Sequence, residues 1–166
     1  MKRLSILVST PLALLVAAAL PAQAVSPHFV SAVAQLGGTN LIVSFKEAGL
    51  GTNESIDYAA RASAAATYVC VNRGARNPSA QNKQVNSGEV TATGTFSSGR
   101  NGQVTASLAI LPPSPEGFSC PPGQSLEIAR VTYKEVEIAD DTNGVTASIP
   151  GTFGAGCLLP EVKGAC

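Results

Sequence analysis

The chain has 166 residues, 45% of them hydrophobic but only 5% aromatic and none tryptophan, and its eleven Lys and Arg balance eleven Asp and Glu. Basic residues are spread thinly, with only Arg73 and Arg76 close together. That excludes a phosphate-reading surface, so no nucleic-acid partner is expected.

In chain order, Lys2 and Arg3 precede an apolar run from Leu4 to Leu20, and Ala22-Gln23-Ala24 supplies small residues where a signal peptidase reads. Residues 1–24 therefore read as a secretory signal. A membrane anchor fits less well, because Pro11 interrupts a run already short of the roughly 20 residues a spanning helix needs. No later stretch is long and apolar enough to span a bilayer after signal removal. Cleavage after Ala24 leaves nine Lys and Arg against eleven Asp and Glu, a formal charge of −2. Residues 25–166 are one domain's worth of chain, destined for secretion.

Four cysteines in an exported chain read as two disulfides, with three pairings open. The pairing we favour is Cys70–Cys120 with Cys157–Cys166. A zinc site is the rival, weakened because there is no Cys-x-x-Cys pair and the one histidine is distant in sequence.

Residues 25–38 begin Val-Ser-Pro-His and end in Gly-Gly, and read as an N-terminal arm or a short first strand. Leu41, Val43 and Phe45 alternate in a clearer strand, after which Glu47 to Asn53 reads as a turn region. The stretch Ser55 to Asn72 carries the anchor of the chain. Alanine is the best helix former, and six alanines lie between Tyr58 and Thr67. The apolar spacing is two rather than three or four, however: even positions from Ala62 to Cys70 share one side, odd positions the other. Flanking β-branched residues also favour a strand.

Arg73 to Asn82 reads as a loop. Val90, Ala92, Gly94 and Phe96, then Val104, Ala106, Leu108 and Ile110, alternate on either side of Asn101-Gly102, the signature of a hairpin. Pro112-Pro113-Ser114-Pro115-Glu116-Gly117 cannot join a ladder and reads as a stiff exposed connector into Cys120. Leu126 and Ile128 open a further strand whose inward set changes phase to Val131 and Tyr133, then again to Val136 and Ile138. Two phase changes predict bulges or a strand that switches sheets. Asp140 to Gly144 reads as a second hairpin turn, and the glycine-rich tail, residues 154–166, as adding no strand.

About seven strands with no helix predict an all-β antiparallel two-sheet sandwich over residues 39–153, immunoglobulin-like or a related Greek key. The missing tryptophan rules out the antibody-type Cys-Trp-Cys core.

Phe45-Lys-Glu-Ala-Gly-Leu-Gly51, Tyr68-Val-Cys-Val-Asn72, Phe118-Ser-Cys-Pro-Pro-Gly-Gln124, Val131-Thr-Tyr-Lys-Glu-Val136 and Asn143-Gly144 follow one another in that order. In these motifs the chain resembles a group of small exported bacterial β-domain proteins without assigned activity, over roughly Thr39 to Phe153. The resemblance implies an exported β domain and transfers no catalytic residue. The two tail cysteines depart from its pattern.

Chemistry-bearing groups are sparse. The lone imidazole, His28, sits four residues past the expected cleavage site and reads as an ordinary surface residue. With the cysteines oxidised no thiol nucleophile remains, and neither serine nor cysteine hydrolase chemistry is expected. Glu127, Glu135 and Glu137, followed by Asp140 and Asp141, invite a glycosidase reading, but polar-out positions on a strand account for them. Asp140, Asp141 and Asn143 offer oxygen ligands for calcium, though a hairpin turn favours the same residues and the spacing is not that of an EF-hand. No cofactor is expected, and no enzyme. The expected function is that of a non-catalytic secreted β-sandwich acting through its surface on an extracellular or cell-envelope partner. The alternatives are a hydrolase inhibitor presenting Pro112 to Gly117, and a weak calcium or small-ligand module.

Overall fold

A computed structural model describes residues 26–72 and 80–166, together with the backbone but not the side chains of residues 80 and 81. Residues 1–24, expected to be a signal, and most of the expected Arg73–Asn82 loop lie outside the described residues. Among the described residues there are eight strands and no helix. They are β1 (His28–Gly37), β2 (Asn40–Ala48), β3 (Ser55–Asn72), β4 (Ala80–Ser97), β5 (Gln103–Ile110), β6 (Gln124–Asp140), β7 (Val145–Ile149) and β8 (Phe153–Ala155).

All pairings are antiparallel. One sheet runs β1-β2-β5 and the other β4-β3-β6-β7, with β8 also on β6. Antibody constant domains pair strands one, two, five and four against three, six and seven. Here the fourth strand has moved to the third, and β6 returns beside β3 after β3, β4 and β5, which is a Greek key. The sandwich is immunoglobulin-like with that one strand switched.

β3 is the central strand despite its alanines. Ile56, Tyr58, Ala60, Ala62, Ala64, Ala66, Tyr68 and Cys70 are all buried on its inner face. Across from them stand Leu41, Val43, Phe45, Val104, Leu108 and Ile110, and beside them Val131, Tyr133, Val136 and Ile138. Small side chains on the middle strand accommodate large ones from the facing sheet, which is how two sheets interdigitate at interior density. Tertiary packing therefore overrides the helical preference of the alanines.

Both expected bulges are present in β6. The register with β3 shifts between Arg61 and Ser63, where Glu135 and Val136 stand opposite Ala62 alone, and between Thr67 and Tyr68, where Ala129 is extra. Glu135 takes a φ of 53° there, and Ser63 Oγ donates to its carboxylate at 2.7 Å. Tyr133, buried between the bulges, donates its hydroxyl to Thr39 O at 2.8 Å, and burial pushes its pKa up to about 12.

Four expectations need correction. Of the arm and the short first strand read for residues 25–38, the strand is present and longer than expected: His28–Gly37 is an edge strand along the length of β2. A bulge at Val30 breaks its alternation, so Phe29, Ala32, Ala34 and Leu36 face inward without an even spacing in the sequence. Second, the runs flanking Asn101-Gly102 form no hairpin ladder. The turn closes through Gln103 N to Ser98 O at 2.8 Å, but β4 then pairs β3 while β5 pairs β2. The corner is clamped by the 49–54 loop, through Leu50 N to Gly102 O and Asn53 N to Gly99 O. Gly102 has φ 62°, and a Cβ there would stand 2.9 Å from Gly51 O. Third, β4 starts at Ala80, inside the expected loop.

Fourth, the tail contributes β8, and its remainder packs on the outer face of the second sheet. Both expected disulfides are present, Cys70–Cys120 and Cys157–Cys166. The second closes a loop that lays Ala165, Leu159 and Val162 over Val69 and the bulged Ala129. Leu158 N donates to Ala129 O at 2.9 Å. This small second core depends on the bulge turning Ala129 outward; the phase change in β6 announces the bulge, but no local pattern announces what covers Ala129.

Loop-closure entropy assigns about 4 kcal/mol to the 50-residue loop and between about 2 and 3 kcal/mol to the nine-residue one. Paired Cys→Ser variants followed by urea denaturation are expected to lose stability in that order. Because the sheets leave no room at the middle of β3, Ala60→Leu and Ala66→Leu, both fully buried, should each cost about 1–3 kcal/mol by overpacking.

Candidate functional site

The crossover between β5 and β6 is held to the sandwich at four points. Tyr68 Oη donates to Pro113 O at 2.6 Å, Asn86 Nδ2 to Ser114 O at 2.5 Å and Gln84 Nε2 to Glu116 O at 3.2 Å. Cys120 then ties the segment to β3. A further bond, Phe118 N to Pro115 O at 2.9 Å, closes its own turn. The prolines leave few backbone donors, so donors from β3 and β4 side chains satisfy the carbonyls instead. Pro112, Pro113 and Pro115 are half-buried, whereas Leu111, Ser114 and Glu116 are exposed. The result is an ordered surface segment with Leu111, Ser114 and Glu116 among the side chains presented outward.

The Asp140–Gly144 turn has a different logic. Asp140 is fully buried, and Oδ1 accepts from Thr142 N at 2.9 Å and Asn143 N at 2.8 Å while Oδ2 accepts from Asn143 Nδ2 at 2.7 Å. Asp141 points away to Arg61, at 3.2 Å. The three residues offered as calcium ligands are thus in place as a turn: Asp140's oxygens are occupied by it, and Asp141 is spent on an ion pair. Among the described residues no group of three or more His, Cys, Asp or Glu converges as a metal site would require.

Two of the three glutamates on β6 are also individually partnered. Glu137 stands 3.8 Å from Arg61, and Glu135 accepts from Ser63. Glu127 is exposed and separated from both by the Ala129 bulge. His28 lies exposed near the start of β1, with Nδ1 2.8 Å from Ser26 O.

One polar group escaped the sequence reading. Glu47 is fully buried, and Tyr58 Oη donates to its Oε2 at 2.7 Å. The alternation of Leu41, Val43 and Phe45 continues to position 47, and that was the available signal. Phe29, Phe45 and Phe96 surround Tyr58, with the Phe45 ring centre 4.6 Å away. In this apolar setting burial lifts the Glu47 pKa to about 7, reinforced by the charge and carboxyl of Asp140 and opposed by the Tyr58 bond and His28. Glu47 Oε1 has no partner among the described residues while the group is an anion. Protonated, Glu47 becomes a donor that the nearby Asp140 carboxylate can accept. The Tyr58–Glu47 bond links β3 to β2 across the sandwich.

No protein-family model, curated protein or solved structure matches this chain.

Two outcomes follow from the buried pair and the turn. Between pH 4.5 and about 7 the folded chain holds a Glu47 proton that the unfolded chain has released, so this contribution is full below pH 4.5 and is lost as pH rises through about 7. Glu47→Gln, neutral and able to bridge both partners, is expected to flatten that slope. Above pH 7 it should gain up to about 3 kcal/mol relative to the parent in urea titrations at several pH values. Calcium is expected to leave the melting temperature unchanged, because the turn already uses the oxygens it would need; calorimetric titration of residues 25–166 checks this.

Proposed function

We propose that the protein is an exported, non-catalytic β-sandwich that acts through its surface, using the strapped crossover Leu111 to Cys120 as its recognition segment. The observation that carries the reading is the way this segment is held. Three side-chain bonds and a disulfide fix its backbone while Ser114 and Glu116 face outward. A preordered segment loses little conformational entropy when a partner binds, which is what an interaction site needs. Two disulfides fit an oxidising compartment, in keeping with export.

A second reading, inhibition of an extracellular hydrolase, draws on the same rigidity, since a braced loop can occupy a cleft without rearranging. The first reading is favoured because two of the half-buried prolines, Pro112 and Pro113, line a groove against β4 instead of projecting.

The test uses residues 25–166, oxidised, as bait in the secreted and envelope fractions of the native cell. A partner retained by the parent chain and lost with Ser114→Lys/Glu116→Lys is the expected result; no retained partner, or one indifferent to that variant, argues against the reading. Purified extracellular proteases assayed at micromolar domain should be unaffected, and slowing of any of them would favour the inhibitor.

A further inference from the structure

β4 is the end strand of its sheet, and its outer edge has no ladder partner among the described residues. From Gly94 onward it lies against β5, close enough that a Cβ on Gly94 would stand 2.9 Å from Leu108 Cδ2. The first half is different. There only Gln84 and Asn86 reach across, to the crossover, and a groove of about 870 Å³ opens beside Val85, Gly88, Val90, Leu111 and Pro112. Val85 and Leu111 are 65% and 63% exposed, two of the four large hydrophobic residues left uncovered among the described residues. Long edges are normally blunted by proline, bulges or runs of lysine. Between Lys83 and Thr93 this one has no proline and no register shift against β3, the shift in the pairing lying just before Lys83.

The charges suggest what covers it. Lys83, Val85, Ser87 and Glu89 are all exposed and stand on the outward face of the strand. Neither Lys83 nor Glu89 joins an ion pair among the described residues. We propose that a second copy of this chain pairs with this edge, β4 against β4, antiparallel about a twofold axis through Asn86. Lys83 then stands opposite Glu89 of the second copy and Glu89 opposite its Lys83, while Val85 faces Ser87. An isologous contact of this kind must be self-complementary, and this register is. Moving the axis by one residue along the same face, to Val85 or Ser87, leaves Lys83 opposite Ser87 or Thr91; centring it on Glu89 sets like charges together. A shift that paired odd with even positions would mismatch the faces. Sheet continuation also gives the free amide and carbonyl groups of the edge their partners. A single strand pair is a small contact, so the dimer is weak and concentration-dependent.

The inference is independent of the proposed function, since a chain monomeric at every concentration would leave partner capture by the crossover untouched. Sedimentation velocity of oxidised residues 25–166, from micromolar to submillimolar protein, tests it. The expected result is a monomer–dimer equilibrium that weakens with salt. Lys83→Glu and Glu89→Lys should each weaken it about tenfold, since each sets two like-charge pairs opposite one another, and K83E/E89K should restore it. Amide exchange of the parent chain should slow over residues 82–90 as concentration rises, a readout that does not depend on any variant folding. A monomer throughout, a dimer indifferent to the single changes, a double variant that is not restored, or exchange protection elsewhere in the chain overturns the proposal. So does occupancy of this edge by a different protein while the parent chain stays monomeric.

Discussion

The constraint on which the sandwich depends is the smallness of the inner face of β3. Four consecutive inward positions, 60, 62, 64 and 66, are alanine, and all four are buried. Larger residues there would push apart the sheets that Leu41, Val43, Phe45, Leu108 and Ile110 fill from the other side. Bulk returns only at the two ends of the strand, as Tyr58 and Tyr68, and each tyrosine meets its burial by donating a hydrogen bond, to Glu47 and to Pro113 O. A strand built this way contributes little apolar area per residue. The disulfide at Cys70 compensates by restricting the unfolded chain.

The two bulges in β6 follow from the demands on that strand. β6 pairs β3 along its whole length, yet its other edge serves β7 near one end and β8 in the middle. Each extra residue resets which side chains face the core. The first turns Ala129 outward, where the C-terminal loop covers it together with Val69; the second places Glu135 in a left-handed conformation beside Ser63. A strand with uninterrupted pleating could not supply both the main core and the second, smaller one.

Polar groups in this protein are used mainly to fasten its segments. Asp140 builds its own turn, Glu47 joins the two sheets through Tyr58, and Gln84 and Asn86 hold a proline-rich crossover that could not otherwise satisfy its carbonyls. Among the described residues the one strongly displaced acid, Glu47, owes its displacement to burial in an aromatic cluster. The surface carries a crossover with a fixed backbone and a strand edge with Lys83 and Glu89 on either side of its midpoint.

Much of this was legible in the order of residues. Period-two spacing determined the strand character of β2, β3, β5 and β6, even through the alanines, because alternation reports which face is dry whatever the local propensity. The same spacing exposed both bulges in β6, since an extra residue shifts every later side chain by one face. The preferred cysteine pairing was likewise chosen from the sequence, and the structure contains both disulfides. Other features were not local and so left no pattern. The bulge at Val30 erased the alternation that would have identified β1 as a strand. The turn at Asn101-Gly102 is the same whether its strands pair with each other or part company, and only the competition of β3 for β4 and β2 for β5 decided that they part. The burial of Glu47 and the docking of the tail onto Ala129 depend on segments about ten to ninety residues apart in the chain. A side chain's own neighbours in sequence settle which way it points, but what it meets there is decided by the rest of the fold.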